Sequence, residues 1–517
     1  MSRAGYALFL CTPLLFPPLA GAGNDLATRI ETVTNRTEYR QAHWGILIMD
    51  AQSGETLYAH NPDKLFFPAS TTKLYSCAAA LDALGPDYRF ETPVYSRGTV
   101  KDGRLSGDLI LVAQGDLTLG GRTDASGRMV FKDYDHTYAN GNTKAELTDT
   151  DPLAGLKSLA RQIAAAGIHH VQGDVLIDDR LFTRSRGSGS GPGLLTPIVV
   201  NDNVVDVVVT PADEPGQPAS VRMRPETTFV QMDAQVDTVG EDGPLRVDIR
   251  SAGPHSFVVR GRIPVKAKPL IRIYSVEDPA QYARALFIET LRGHGVGVSA
   301  SPLQPPGAEL PEKDSYAKLG RVAVFTSPPF SEVVKVTLKV SHNLYASTLP
   351  LLVAAHNGRK TVADGLHRQR KFLADLGLDV DSISFGGGAG GANADAVTPR
   401  ASVQLLQALA KRSDYKALHA GLAILGVDGT LADAVAADSP ARGKVHAKTG
   451  TLTWDDIMNG RTLLTSKALA GTMTTASGRS LIVALYVNGV PLPKGVTSTR
   501  EGKAIGELCE IIYQHAH

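Results

Sequence analysis

Cysteine is scarce in this chain, at 3 in 517 residues. Cys11 lies in an apolar N-terminal stretch, which leaves Cys77 and Cys509. Two thiols make no disulfide framework, and neither sits in a zinc-type spacing. An exported protein could pair them. Cys77, however, lies in an apolar helical run with Leu74, Ala78 and Leu81, where a buried free thiol is the commoner outcome. An excess of either charge is missing too: 53 basic residues face 52 acidic ones. A nucleic-acid partner calls for a basic excess or stripe, so that class is excluded. No segment after residue 22 approaches 18 unbroken apolar residues, the length needed to span a bilayer. The H-E-x-x-H pattern is absent, and His169-His170 would leave a strand on opposite faces. Neither a metal nor any other cofactor is expected.

What is there fits a folded protein, with 43% hydrophobic and 20% charged residues. The length corresponds to three or four domains at about 150 residues each. Arg3, the apolar run Ala4 to Leu19 and the small residues Ala20-Gly21-Ala22 read as an export signal over residues 1–22. Pro13, Pro17 and Pro18 argue against a membrane anchor. The mature protein is expected to begin near Gly23 and to be periplasmic or otherwise extracytoplasmic. Arg3 is the only charge in the leader, so the remainder carries 52 of each sign.

After a helical start (Asp25 to Tyr39), Trp44 to Asp50 and Thr56 to His60 read as a hairpin. Leu74, Cys77, Ala78 and Leu81 have helical spacing, so a buried helix begins around Ser70 and ends near Gly85-Pro86. Residues 87–266 change character. Short β-type runs alternate with Gly, Asp and Pro turns, and the runs 123–142 and 184–193 look like exposed loops. Helical signal returns at Ala280 to Gly293, Glu332 to Pro350, Thr361 to Gly377 and Thr398 to Lys411. Strands around 445–450, 468–474 and 481–487 and a helix from Arg500 to His515 close the chain. The expected plan is an α/β body, 23–86 with 267–517, interrupted by a β-rich insert.

Three short motifs carry chemistry. Ser70-Thr-Thr-Lys73 is S-x-x-K at a helix start, which sets a hydroxyl and an amine one turn apart on one face. The lysine can then take the serine proton if burial or a cationic neighbour lowers its pKa. Two further S-x-x-K matches, Ser315 to Lys318 and Ser413 to Lys416, read as solvated helix faces. Ser341-His-Asn343 lies between helical segments, and Lys448-Thr-Gly450 sits in a strand. Each motif alone is common. Their order and contexts match the set found in β-lactamases and penicillin-binding proteins.

The resemblance extends to Phe67-Pro-Ala-Ser-Thr-Thr-Lys73, Gly107-Asp-Leu-Ile-Leu-Val-Ala-Gln-Gly-Asp116, Gly173-Asp-Val-Leu-Ile-Asp-Asp179, Gly426-Val-Asp-Gly-Thr-Leu431 and Ala447-Lys-Thr-Gly-Thr-Leu452. Together these resemble the D-alanyl-D-alanine carboxypeptidase/endopeptidase family, the class C low-molecular-mass penicillin-binding proteins. The resemblance implies a transpeptidase-like domain, an antiparallel sheet flanked by helices, with two small β-rich domains inserted. It implies hydrolysis of peptidoglycan stem peptides through an acyl-enzyme, and covalent inhibition by β-lactams. Ser70 is then the nucleophile and Lys73 its base. Ser341 relays a proton to the leaving amine, and Asn343 holds the substrate amide and the lysines. Lys448 and Thr449 bind the terminal carboxylate, while the N–H groups of Ser70 and Thr451 form the oxyanion hole. Peripheral association with membrane or wall is left open.

Three departures stand out. The family's Asp-Gly-Ser-Gly-Leu-Ser-Arg-type loop is replaced by Gly387-Gly-Ala-Gly-Gly-Ala-Asn393, which lacks the aspartate and the arginine. The accompanying Gly386-x-Gly388-x-x-Gly391 opens no helix, so it is no dinucleotide fingerprint. His342 stands where aspartate is common and reads as a structural substitute. Residues 453–467 form a long extension that either overhangs the cleft through Trp454, Asp455 and Asp456 or is a surface hairpin. Asp178 or Asp179 with Phe182 either faces the cleft or serves turn chemistry. Two other functions stay open: a D-amino-acid amidase or esterase with the same nucleophile, and a peptidoglycan-binding protein with little turnover.

Overall fold

Six strands form the central sheet, in the order Ala423–Ile424, Val445–Asp456, Arg461–Thr474, Ser480–Leu492, His43–Asp50 and Thr56–His60, all paired antiparallel. The computed structural model describes residues 22–517, so the expected export signal lies outside the described residues except for Ala22. Strand His43–Asp50 is buried beyond its first residue because both sheet faces are covered. Trp44, Ile46 and Ile48 join the apolar cluster that includes Leu26 and Ile30 of helix Ala22–Thr34 and Leu508 and Ile512 of helix Thr499–His515. Leu47 and Met49 face the opposite way, into the larger helical core.

That core is centred on helix Thr72–Leu84, whose residues from Thr72 to Leu81 are all buried. Gly85 ends it at φ +85°, donating its N–H to the Leu81 carbonyl at 2.8 Å. Glycine tolerates that left-handed backbone at little cost. Helix Pro399–Leu409 follows the expected start, with Thr398 Oγ1 accepting the Ala401 N–H and Pro399 in the first turn. The stretch 332–350 is not continuous. Phe330–Lys339 and Asn343–His356 are separate helices, and Ser341 between them has φ +62°. Cys77 and Cys509 are both buried free thiols.

The β-rich region contributes three sheets. Strands Glu91–Lys101 and Arg104–Val112 anchor the largest; Gln231–Val239 edges one three-stranded sheet and Val204–Thr210 is the middle strand of the other. Strand pairing of this region continues past residue 266. Leu270–Ser275 pairs with Val204–Thr210, and Gly320–Thr326 pairs with Glu91–Lys101, so residues up to Thr326 share the insert's hydrogen bonding. The sheets also share one continuous apolar cluster, from Val94 and Leu109 to Val247 and Phe257. The architecture is mixed α/β, an antiparallel sheet flanked by helices and interrupted by a β-rich region. Among the described residues, no helix is long and apolar enough to cross a membrane.

Candidate active site

Ser70 lies in the 3₁₀ turn Ala69–Thr71 that leads into helix Thr72–Leu84. Ala69 adopts φ +45°, a left-handed conformation unusual for a residue with a side chain. Strain of that kind persists only where surrounding packing enforces it. The turn brings Lys73 Nζ to 2.6 Å from Ser70 Oγ. Lys73 is wholly buried, and its Nζ also donates to Asn343 Oδ1 at 2.7 Å and to the Ala389 carbonyl at 3.0 Å. Burial, then the positive charge of Lys448, pushes its pKa well below the usual lysine range.

Three elements converge on this lysine. Asn343 opens helix Asn343–His356. Ala389 belongs to the glycine-rich loop, and those glycines are needed for close backbone approach. A Cβ on Gly390 would stand 1.8 Å from the Ala69 carbonyl oxygen, and one on Gly388 would stand 2.0 Å from that of Ala346. The segment 184–193 is an exposed loop, as expected, but it is anchored. It packs onto the same run, with Gly189 against the Gly391 carbonyl and Gly191 against Asn343. Two glycine-rich loops thus interlock beside Ser70. Buried Asp395, two residues beyond the quoted run, ties the loop by accepting the N–H groups of Gly386 (2.8 Å) and Ala392 (2.9 Å). Burial raises its pKa to about 6.

The third motif lies along strand Val445–Asp456. Lys448 is wholly buried, donates to the Thr449 carbonyl at 2.8 Å, and has its pKa lowered to about 7 by burial. Gly450 has no room for a side chain: a Cβ there would lie 2.6 Å from the Pro68 oxygen and 3.1 Å from the Ser70 nitrogen. The strand therefore passes directly against the Ser70 turn. Its outer edge pairs with Ala423–Ile424 only at His446 and Ala447. From Lys448 onward that edge is open, a template on which an extended peptide can lie. Thr449 Oγ1 donates to Thr430 Oγ1 at 2.7 Å, and Lys467 Nζ donates to Thr451 Oγ1 at 2.9 Å. Burial lowers the Lys467 pKa to about 8.

All seven expected residues stand in this neighbourhood, on different terms. Ser70, Lys73 and Asn343 share direct hydrogen bonds, Lys448 acts on Lys73 through charge, and Ser341, Thr449 and Thr451 stand on the same turn or strand as those groups. Sequence reading missed the Ala389 carbonyl, Asp395, Thr430 and Lys467. Backbone acceptors leave no residue-type signal, Asp395 and Lys467 have no fixed spacing to a motif, and Thr430 lies in the quoted Gly426–Leu431 segment without having been singled out. The 453–467 extension is a hairpin continuing the Lys448 strand, with its turn at 457–460. Trp454 lies on the Lys448 and Gly450 face, because the irregularity at Leu452/Thr453 adds its extra residue, Thr465, to the partner strand. Asp178 and Asp179 are taken by Arg180 and Arg184, and Phe182 is buried, the turn-chemistry alternative.

A buried lysine on a serine, an asparagine on that lysine, and a second buried lysine on an open strand edge define a serine acyl-transfer site. The chain belongs to the D-Ala-D-Ala carboxypeptidase 3 (S13) family, whose profile matches residues 26–507. It is a serine-type D-alanyl-D-alanine peptidase of peptidoglycan. It is similar to a D-alanyl-D-alanine carboxypeptidase of an Actinomadura species, 27% identical over 477 residues that cover 86% of this chain and 80% of that one. It is also similar to the D-alanyl-D-alanine carboxypeptidase DacB of Haemophilus influenzae, 24% identical and covering 86% and 85% of the two chains. The crystal structure of penicillin-binding protein 4 (dacB) from Haemophilus influenzae shares the fold, with a TM-score of 0.69 at 22% identity over 94% of this chain and 98% of that one.

Proposed function

We propose that the protein is exported, acts on peptidoglycan stems outside the cytoplasm through an acyl-enzyme on Ser70, and is acylated there by β-lactams. The observation that carries this reading is the set of three oxygens around Lys73 Nζ. Two of them, Asn343 Oδ1 and the Ala389 carbonyl, can only accept. A neutral amine has two N–H groups for those acceptors and one lone pair left, which faces the Ser70 hydroxyl at 2.6 Å. Burial beside Lys448 supplies the neutral form.

Ser70 Oγ attacks the carbonyl between the two terminal D-alanines as its proton passes to Lys73. The N–H groups of Ser70 and Thr451 receive the oxyanion, each such donor typically contributing about 3 kcal/mol in the transition state. Lys448 and Thr449 hold the terminal carboxylate. The peptide lies along the open strand edge, with Asn343 orienting it. Collapse breaks the C–N bond, and the leaving amine takes a proton relayed through Ser341. Water then hydrolyses the Ser70 ester. The open edge suits both a free C-terminal D-alanine and a cross-linked one. The region 87–326 is proposed as an inserted unit, and association with wall or membrane is proposed to be peripheral. Labelling with a fluorescent penicillin tests the nucleophile: the expected result is a covalent adduct on the native chain and none on Ser70→Ala. An adduct that persists in Ser70→Ala overturns the assignment. Incubation with pentapeptide and with cross-linked muropeptides then measures the two hydrolytic activities.

A further inference from the structure

The turn Ser341–His342–Asn343 is held from its far side by the β-rich region. Ser341 sits at φ +62°, a conformation that residues with a Cβ avoid. The phenol of Tyr138 donates to the Ser341 carbonyl at 2.5 Å. His342 is wholly buried and stacked on Tyr345, with ring centroids 3.7 Å apart. Its Nδ1 accepts the Tyr345 N–H at 3.4 Å and so caps helix Asn343–His356. Its Nε2 lies 3.5 Å from Asp202 Oδ1 and 3.3 Å from the Arg122 guanidinium. The Tyr345 phenol donates to the same Oδ1 at 2.7 Å.

Asp202 is itself fixed. Its Oδ2 accepts from Arg122 at 2.8 Å and from His136 Nε2 at 2.8 Å, while Arg122 also binds Asp135 at 2.7 Å. His136 Nδ1 lies 2.5 Å from Asp206, which Arg224 approaches at 3.5 Å. Burial alone would lower the His136 pKa, but the Asp206 and Asp202 carboxylates raise it to about 10, so it keeps its proton. Arg122, His136 and Arg224 then balance Asp135, Asp202 and Asp206, and His342, its pKa lowered by burial, stays neutral. A balanced cluster of this kind is rigid and keeps its charges over the ordinary pH range.

We propose that Tyr138 and Asp202 are positioning residues for acyl transfer: from the inserted region they clamp the Ser341–Asn343 turn, so that Ser341 faces the leaving amine and Asn343 Oδ1 meets Lys73. Neither touches the reacting atoms. The insert is therefore part of the catalytic apparatus, although it supplies no catalytic residue. This rests on the proposed roles of Ser341 and Asn343. If those roles fail, the failure appears independently, as acylation that is untouched by Ser341→Ala and Asn343→Ala.

The test is Tyr138→Phe, which keeps the ring and removes one hydroxyl, with Tyr345→Phe as a second variant that removes one bond to Asp202. Acylation by fluorescent penicillin is followed by stopped flow over a range of concentrations, which separates the rate at saturation from the half-saturating concentration. Thermal unfolding is measured in parallel. For Tyr138→Phe the expected result is a saturating rate about tenfold lower, the usual consequence of one lost positioning hydrogen bond. The half-saturating concentration stays unchanged, and the unfolding midpoint moves by no more than about 2 °C. Tyr345→Phe gives a smaller fall of the same kind. A native saturating rate in both variants overturns the proposal. So does a loss confined to the unfolding midpoint, which is what passive support of the fold would give.

Discussion

Two groups of buried charge meet at the Ser341–Asn343 turn, and they are built on opposite rules. In the group behind the turn, every cation has a carboxylate: Arg122 has Asp135 and Asp202, and His136 has Asp202 and Asp206. In the group facing the cleft, Lys73 and Lys448 are just as buried, yet their hydrogen-bond partners are Ser70, Asn343 and the carbonyls of Ala389 and Thr449. The protons follow the partners. His136 holds its proton to about 10, whereas Lys448 gives its up near 7 and Lys73 well below its ordinary range. Burial is common to both groups, so pairing decides which becomes a fixed strut and which can exchange a proton during turnover.

The comparison breaks first on its paired side. Arg122→Met removes one member of a network whose side chain is only 4% exposed and leaves Asp135 and Asp202 short of a cation. Breaking a buried pair in this way typically costs up to about 5 kcal/mol. Denaturant unfolding is the measurement, and a loss under about 1 kcal/mol, the range of surface pairs, would deny the cluster its structural role. On the unpaired side, Lys73→Arg installs a cation that never gives up its proton. Penicillin labelling should slow about a thousandfold, within the range of a lost general base. Native labelling by Lys73→Arg would show that Lys73 is no base.

The motifs S-x-x-K, S-x-N and K-T-G were legible because each rests on a helical or strand spacing that the chain displays openly. The central helix and the strands of the main sheet were legible for the same reason: their apolar positions repeat at 3.6 or fill both faces. Three features were not. Gly320–Thr326 pairs with Glu91–Lys101 across more than two hundred residues, a contact that no local pattern announces. The loop 184–193 is exposed as its composition suggests, but its contacts with Gly391 and Asn343, which its small residues permit, carry no signal in the sequence. His342 reads as a structural substitute in sequence, and its place among Asp202, Arg122 and Tyr345 agrees with that reading. The ion cluster it joins draws on residues from 122 to 345 that share no motif.

A further expected effect is the most specific to the unpaired group. Lys448 has an ordinary lysine pKa of 10.5 in the unfolded chain and about 7 in the folded one. Between those values the unfolded chain binds a proton that the folded chain does not, so stability rises with pH across that window. Below about 7 both states hold the proton, and the folded protein carries the full cost of a buried ammonium. Lys448→Met keeps the length of the side chain and removes that cost. The variant should therefore be more stable than the native chain at pH 6, by on the order of 3 kcal/mol. The gain should shrink steadily towards pH 10, while carboxylate-bearing penicillins and substrates bind more weakly throughout. Denaturant unfolding of both proteins at pH 6, 8 and 9.5 checks it. A native chain more stable than the variant at pH 6, or a gap that widens with pH, would mean that Lys448 is paired in the folded state like Arg122, and the contrast between the two groups would disappear.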